Sequence, residues 1–209
     1  MRCTNCSSHV RPIAVFDIDG TLARYHQAVA DFSSRYFDTL PIPYEYDGSV
    51  PFRDYLELTQ AQHREMKLAY RQGGNKRFVP IYAGALEAVE SFRKVDAEIW
   101  MATTRPFNRL DNIDPDTREW LRRNHIEIDG LLFGEDKYQQ LVDTVDQERI
   151  VICFEDLAEM MFAGRALGLP MWHVYRAHNK ALRYPGGDLA EGVAYGLTQI
   201  ERWREQNGH

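Results

Sequence analysis

From Gly84 onward the chain alternates short apolar runs with amphipathic stretches, and this alternation restricts the fold more than any other feature. Periodicity predicts strands over 97–102, 130–133, 150–154 and 171–175. It predicts helices over 85–94, 115–124, 138–145, 157–167 and 189–204. An earlier apolar run, Ile13 to Phe16, predicts one more strand. Strands separated by helices pair in parallel, because the crossover returns the chain to the same end of the sheet. The expectation is an α/β protein with a Rossmann-like, three-layer core built on a parallel sheet.

The section over 25–80 reads differently. It carries two helical patterns, 26–39 and 52–72, joined by a loop around Pro41-Ile42-Pro43, and it holds no strand signal. Aromatic side chains are dense in it. A chain of 209 residues fits one domain with a substantial insertion. The expected organisation is a tail over 1–12, a core over 13–24 and 81–209, and a helical cap over 25–80 inserted after the first strand.

The net charge of −6 argues against a generic nucleic-acid binder, so any anionic substrate must be attracted locally. No run of about 18 apolar residues predicts a membrane span, and no secretory leader is evident. Three cysteines make no disulfide framework, so a reducing cytoplasm is the expected setting. Cys3-x-x-Cys6 with His9 resembles half of a zinc site without a second pair, and the other reading is a tail with two incidental thiols.

The chemistry begins where the first strand ends, at Asp17-Ile18-Asp19-Gly20-Thr21. In an extended segment, residues two apart point the same way, so Asp17 and Asp19 form a carboxylate pair at a turn. Such a pair suits phosphoryl transfer. Asp17 would attack phosphorus and become an aspartyl phosphate. Asp19 would protonate the departing oxygen and then take a proton from the hydrolytic water. Other candidates sit at other strand ends: Thr103 and Thr104 after the second strand, Glu155 and Asp156 after a later one. In an open parallel sheet these ends converge on the ligand crevice. Lys137 opens a helix nearby and could neutralise charge on the nucleophile and the phosphoryl group. Mg²⁺ suits the hard oxygen donors of Asp17, Asp156 and the main-chain carbonyl of Asp19. Each signal has a plainer reading: Glu155-Asp156 as a helix cap, Lys137 as a solvated side chain, the threonines as ordinary strand ends.

Taken together, these segments resemble the haloacid dehalogenase superfamily of aspartate-nucleophile phosphatases. Asp17 to Thr21 meets its first motif in full, Thr103 its second, Lys137 its third and Glu155-Asp156 its fourth. Glu155 stands where Asp is commoner. The resemblance implies that Asp156 is the direct metal ligand and Glu155 a supporting group, although the reverse pairing stays open. Within that superfamily, Val79 to Glu87 and Asp136-Lys137 resemble 5'(3')-deoxyribonucleotidases. That likeness implies a nucleoside monophosphate substrate, with Phe32, Tyr36, Tyr44 and Tyr46 available to pack on the base, or else to form the core of the cap. Thr103-Thr104-Arg105-Pro106 and Glu155 to Met160 instead resemble the phosphatase half of polynucleotide kinase-phosphatases, which act on 3'-phosphorylated nucleic-acid ends. Arg105, Arg109, Arg122 and Arg123 would serve that alternative. Arg105 could grip a phosphate or pair with an acidic neighbour. A non-catalytic binding module on the same fold is the third reading, and the intact Asp17/Asp19 pair argues against it.

Overall fold

A computed structural model describes residues 10–41, 44–106, 110–181 and 184–208. Cys3, Cys6, His9 and Arg109 lie outside the described residues. In chain order the strands are β1 (Ile13–Phe16), β2 (Glu98–Thr103), β3 (Gly130–Phe133), β4 (Ile150–Glu155), β5 (Met171–Val174) and β6 (Gly186–Gly187). The helices are α1 (Tyr25–Tyr36), α2 (Phe52–Tyr55), α3 (Gln60–Gln72), α4 (Ala85–Lys94), α5 (Ile113–Arg123), α6 (Lys137–Thr144), α7 (Ala158–Ala166) and α8 (Leu189–Asn207).

The strands form one sheet in the order β3-β2-β1-β4-β5-β6, and every neighbouring pair is parallel. The chain winds from β1 outward to β3 on one side and from β4 outward to β6 on the other. The crevice of a doubly wound sheet opens where that direction reverses, beyond the carboxyl ends of β1 and β4.

The alternation of β1 sorts its side chains between two cores. Ala14 and Phe16 face α4 and α8, in a cluster with Phe92, Phe154, Ile200 and Trp203. The Phe16 ring stacks on Phe154 with centroids 4.6 Å apart. Ile13 and Val15 face α6 and α7, with Tyr138, Leu141 and Cys153. All four residues of β1 are fully buried, as expected of a central strand covered on both faces.

The cap consists of α1, α2, α3 and a 3₁₀ turn at Asn75–Phe78. The periodicity predicts one helix over 52–72, but the chain forms two. Glu57 adopts φ +55°, which no continuing helix permits. Thr59 then restarts the helix: its hydroxyl accepts the Gln62 N–H, and the Gln62 side chain accepts the Thr59 N–H at 3.0 Å. The first cap helix ends at Tyr36, three residues short of the expected 39. Hydrogen bonds dock the cap on α5. Trp120 Nε1 donates to the Val79 carbonyl at 2.7 Å, Asn112 Nδ2 to the Arg71 carbonyl at 2.7 Å, and Arg77 Nε to Asp116 at 2.9 Å.

β6 has no counterpart in the sequence reading. Two glycines carry no hydrophobic period, and a Cβ on Gly186 would lie 2.2 Å from the His173 carbonyl oxygen. Among the described residues, no helix is long and apolar enough to cross a membrane.

Candidate active site

Asp17 directly follows β1, and its N–H donates to the Phe154 carbonyl of β4 at 3.0 Å. It continues the Ile13, Val15 series and so points toward α6. Glu155 continues the Cys153 series of β4 to the same face. Lys137, the first residue of α6, meets both: its ammonium lies 2.6 Å from Asp17 Oδ1 and 2.6 Å from Glu155 Oε2. A lysine at a helix N-terminus opposes the helix dipole, and this one is fully buried. Two carboxylates are what make that position tenable. Burial opposes its charge, but Asp17 and Glu155 outweigh that and hold Lys137 above the ordinary lysine range.

Burial, with Glu155 and Asp156 alongside, pushes the Asp17 carboxyl well up against the pull of Lys137. Burial and Asp156 push Glu155 up as well. Both Glu155 oxygens are engaged. Oε2 also accepts the Tyr138 hydroxyl at 2.8 Å, and Oε1 accepts the N–H groups of Asp156 and Leu157 at 3.1 and 3.0 Å. Glu155 is therefore the most fully satisfied of the three acidic groups.

Asp156 is held by different partners. Oδ1 accepts the Thr21 hydroxyl at 2.9 Å, and Oδ2 accepts His178 Nε2–H at 2.6 Å. Against burial, these partners and His26 hold its carboxyl below the usual range. Gly20 makes room for it. At φ +104°, a Cβ there would sit 2.1 Å from Asp156 Oδ2. Asp17, Glu155 and Asp156 each offer an oxygen, and these oxygens lie within 4.8 Å of one another. Buried, hard, anionic donors at that spacing fit a divalent cation such as Mg²⁺.

Asp19 stands apart from this group. Its Oδ1 accepts Arg105 Nη2–H at 2.7 Å, its Oδ2 accepts Arg105 Nε–H at 3.2 Å, and Lys76 of the cap donates to Oδ2 as well. Burial works against its charge, but Arg105 and Lys76 overcome that and hold Asp19 well below the usual carboxylate range. Arg105 is itself fixed by Thr117, whose hydroxyl accepts Nη1–H at 3.0 Å. The Lys76 ammonium also lies 3.8 Å from the Tyr25 ring centroid. Burial first, then the Arg105 charge, brings Lys76 down to about 7 despite Asp19.

Thr103 ends β2 fully buried, its hydroxyl accepting the Arg105 N–H at 3.4 Å, and Thr104 follows half-buried. Asp17, Asp19, Thr103, Arg105, Lys137, Glu155 and Asp156 thus meet at one end of the sheet. The aromatic candidates do not share one setting. Phe32 packs within the cap, edge-on to Tyr70 at 5.2 Å. Tyr36 lies at the surface, and its hydroxyl donates to Glu65 at 2.8 Å. Tyr44 is half-buried and Tyr46 is buried, and both rings pack against Tyr55. Arg122 pairs with Glu119 at 2.7 Å, and Arg123 sits 4.8 Å from the Phe78 ring centroid. Lys76 and His178 join the site unannounced by the sequence. Lys76 sits in a 3₁₀ turn after Gly73-Gly74, and His178 in another at Ala177–Asn179, where periodicity carries no signal.

No protein-family model matches the chain, and no curated protein matches its sequence. Solved structures do match its fold. A haloacid dehalogenase-like hydrolase family protein from Streptococcus pneumoniae superposes with a TM-score of 0.61 at 14% identity, over 88% of this chain and 98% of that one. CbbY from Rhodobacter sphaeroides, in complex with phosphate, gives 0.56 at 15% identity, over 92% of this chain and 100% of that one. A point mutant of CbbY in complex with xylulose 1,5-bisphosphate gives 0.56 at 16% identity, over 86% and 92%. The chain thus shares its fold, a Rossmann-like parallel sheet between helical layers, with these structures.

Proposed function

We propose that this protein is an Mg²⁺-dependent phosphomonoesterase that works through an aspartyl phosphate on Asp17. The observation that carries this reading is the buried Lys137 ammonium bridging Asp17 and Glu155, beside Asp156, at the reversal point of the sheet. A purely structural ion pair does not call for a third buried carboxylate within reach of the same point.

The steps follow from the groups present. An Asp17 oxygen attacks phosphorus, and the bond from phosphorus to the leaving oxygen breaks. Lys137 offsets the negative charge gathered on Asp17 and the phosphoryl oxygens, and the Thr103 hydroxyl donates to one of those oxygens. The proton on the leaving oxygen comes from Asp19. Water then attacks the phosphoryl group, Asp19 takes its proton, and the bond to Asp17 breaks to release inorganic phosphate. Asp17 and Asp156, with the main-chain carbonyl of Asp19, would hold Mg²⁺, and Glu155 would support them through Lys137 and two backbone N–H groups. Mg²⁺ supplies neutralisation of the repulsion between an anionic nucleophile and an anionic ester.

Without substrate, Arg105 and Lys76 keep Asp19 ionised, which suits the base but not the acid. An incoming phosphate dianion competes for both cations. As they turn to it, the Asp19 carboxyl rises and becomes able to carry the proton the leaving oxygen needs. This gives Arg105 a substrate-binding part alongside its ion pair.

For the leaving group, the likeness of Val79 to Glu87 to nucleotidases supports a (deoxy)nucleoside monophosphate. The test is a panel of nucleoside 5'- and 3'-monophosphates, a 3'-phosphorylated oligonucleotide and several sugar phosphates, each with Mg²⁺, with EDTA and with Asp17→Asn. Turnover is expected with Mg²⁺ alone. Turnover that survives Asp17→Asn rules out the mechanism, and preference for the oligonucleotide moves the substrate to nucleic-acid ends.

A further inference from the structure

A second group of cations lies in the cap. A cavity of about 460 Å³ is lined by Tyr25, His26, Phe52, His63, Arg64 and Lys67, with Pro51, Arg53 and Gln60 completing the wall. Among the described residues no carboxylate lines it, although the chain as a whole carries a charge of −6. Gln60, His63, Arg64 and Lys67 follow the 3-4 spacing of one helical face, so α3 turns a cationic stripe toward the cavity.

These groups are poorly compensated. Arg53 pairs with Asp54 at 2.5 Å, but no ion pair engages Arg64 or Lys67 among the described residues. His26 Nδ1 and His63 Nε2 are buried without hydrogen-bond partners. Those unpartnered buried histidine nitrogens are costly unless a ligand completes them. The missing complement is an anion. At about 460 Å³ the cavity matches a small-molecule site.

Two lining residues also touch the catalytic groups. The Tyr25 ring lies under Lys76, which pairs with Asp19. The His26 ring lies 4.3 Å from that of His178, which holds Asp156. The cavity is thus one side-chain layer from the carboxylates.

We infer that the cavity is a subsite for a second anionic group on the substrate, so that the ester cleaved is a small molecule carrying a further phosphate, a nucleoside or sugar bisphosphate. The anion sits on Lys67, Arg64 and His63, and Tyr25 and Phe52 flank the carbon skeleton. This inference rests on the phosphomonoesterase reading above and replaces its nucleoside monophosphate with a substrate that carries a second phosphate.

The test uses matched pairs that differ only in the second phosphate: deoxyadenosine 3',5'-bisphosphate against deoxyadenosine 5'-monophosphate, and glucose 1,6-bisphosphate against glucose 6-phosphate. The ratio of kcat/KM, bisphosphate over monophosphate, is expected to exceed one in at least one pair. In the double variant Arg64→Gln, Lys67→Gln it is expected to fall by about tenfold or more, the loss for charge-assisted hydrogen bonds. Lys67→Arg should restore part of it. An unchanged ratio overturns the subsite. A separate readout needs no turnover: calorimetry of the same pairs with the Asp17→Asn chain. If no ester is hydrolysed but the bisphosphate binds more tightly and loses that advantage in the double variant, the phosphatase reading fails and the subsite stands. If no bisphosphate advantage appears in binding, the subsite fails.

Discussion

Lys137 Nζ and Asp17 Oδ1 lie 2.6 Å apart with no water-accessible surface on the lysine, so one ammonium must serve a nucleophile and a neighbouring glutamate at once. Replacing it with methionine leaves two buried carboxylates without a counter-charge. Breaking such a pair costs about 3–5 kcal/mol. Lys137→Met is expected to lower the denaturation midpoint accordingly and to abolish turnover. Lys137→Met with Glu155→Gln should recover much of the stability and none of the turnover. Urea unfolding of the two variants checks this, and equal midpoints would show that Glu155 is not balanced by Lys137.

The nucleophile carries the opposite balance. Burial raises the Asp17 pKa, so its ionised form costs stability at every pH above the ordinary carboxylate range. Asp17→Asn removes that cost. In metal-free buffer at pH 7 the variant is expected to be as stable as the natural chain or more so, while turnover falls by about four orders of magnitude or more. Thermal unfolding with EDTA reads the first part, and a phosphate-release assay with Mg²⁺ reads the second. A marked loss of stability would mean that Asp17 serves the fold.

His178 never touches the reacting atoms in this scheme, yet its Nε2–H holds Asp156 Oδ2 at 2.6 Å. It acts by positioning. His178→Phe keeps the ring beside His26 and removes the hydrogen bond. The Mg²⁺ concentration for half-maximal turnover is expected to rise by about 10–100-fold, as for other supporting partners of metal ligands. The rate at saturating Mg²⁺ should change far less. A fall in the saturated rate with no shift in Mg²⁺ dependence would contradict this role.

Much of the core was legible because buried parallel strands and their crossover helices carry strong periodic signals. Asp17, Thr103, Glu155 and Asp156 lie at strand ends, where register fixes direction, whereas Asp19 lies in the turn beyond β1 and turns to Arg105 and Lys76 instead of pairing with Asp17. Lys137 lies one turn from such an end. The cap was harder. Its break at Glu57 depends on a capping box between Thr59 and Gln62 that competes with a continuous helical period. Lys76 and His178 reach the site from 3₁₀ turns, whose side-chain directions follow from tertiary docking and not from local sequence. The Asp19 pairing with Arg105 and Lys76 joins three segments far apart in the chain, so its electrostatic consequence appears only once they meet.

Lys76 gives a pH signature of its own. Burial and the Arg105 charge outweigh Asp19 and bring its pKa to about 7, below the ordinary 10.5 of an unfolded chain. Between those values the unfolded state binds more protons than the folded one, so stability rises with pH across that window. The signature belongs to the metal-free, substrate-free protein. Melting temperatures of the natural chain, measured from pH 7 to 9, are expected to climb relative to those of Lys76→Met, which lacks the titrating group. Parallel profiles would place the Lys76 pKa near its ordinary value, with its ammonium charged throughout. In that case the Lys76 charge would stay on Asp19 across the working range, and substrate alone would have to draw it away.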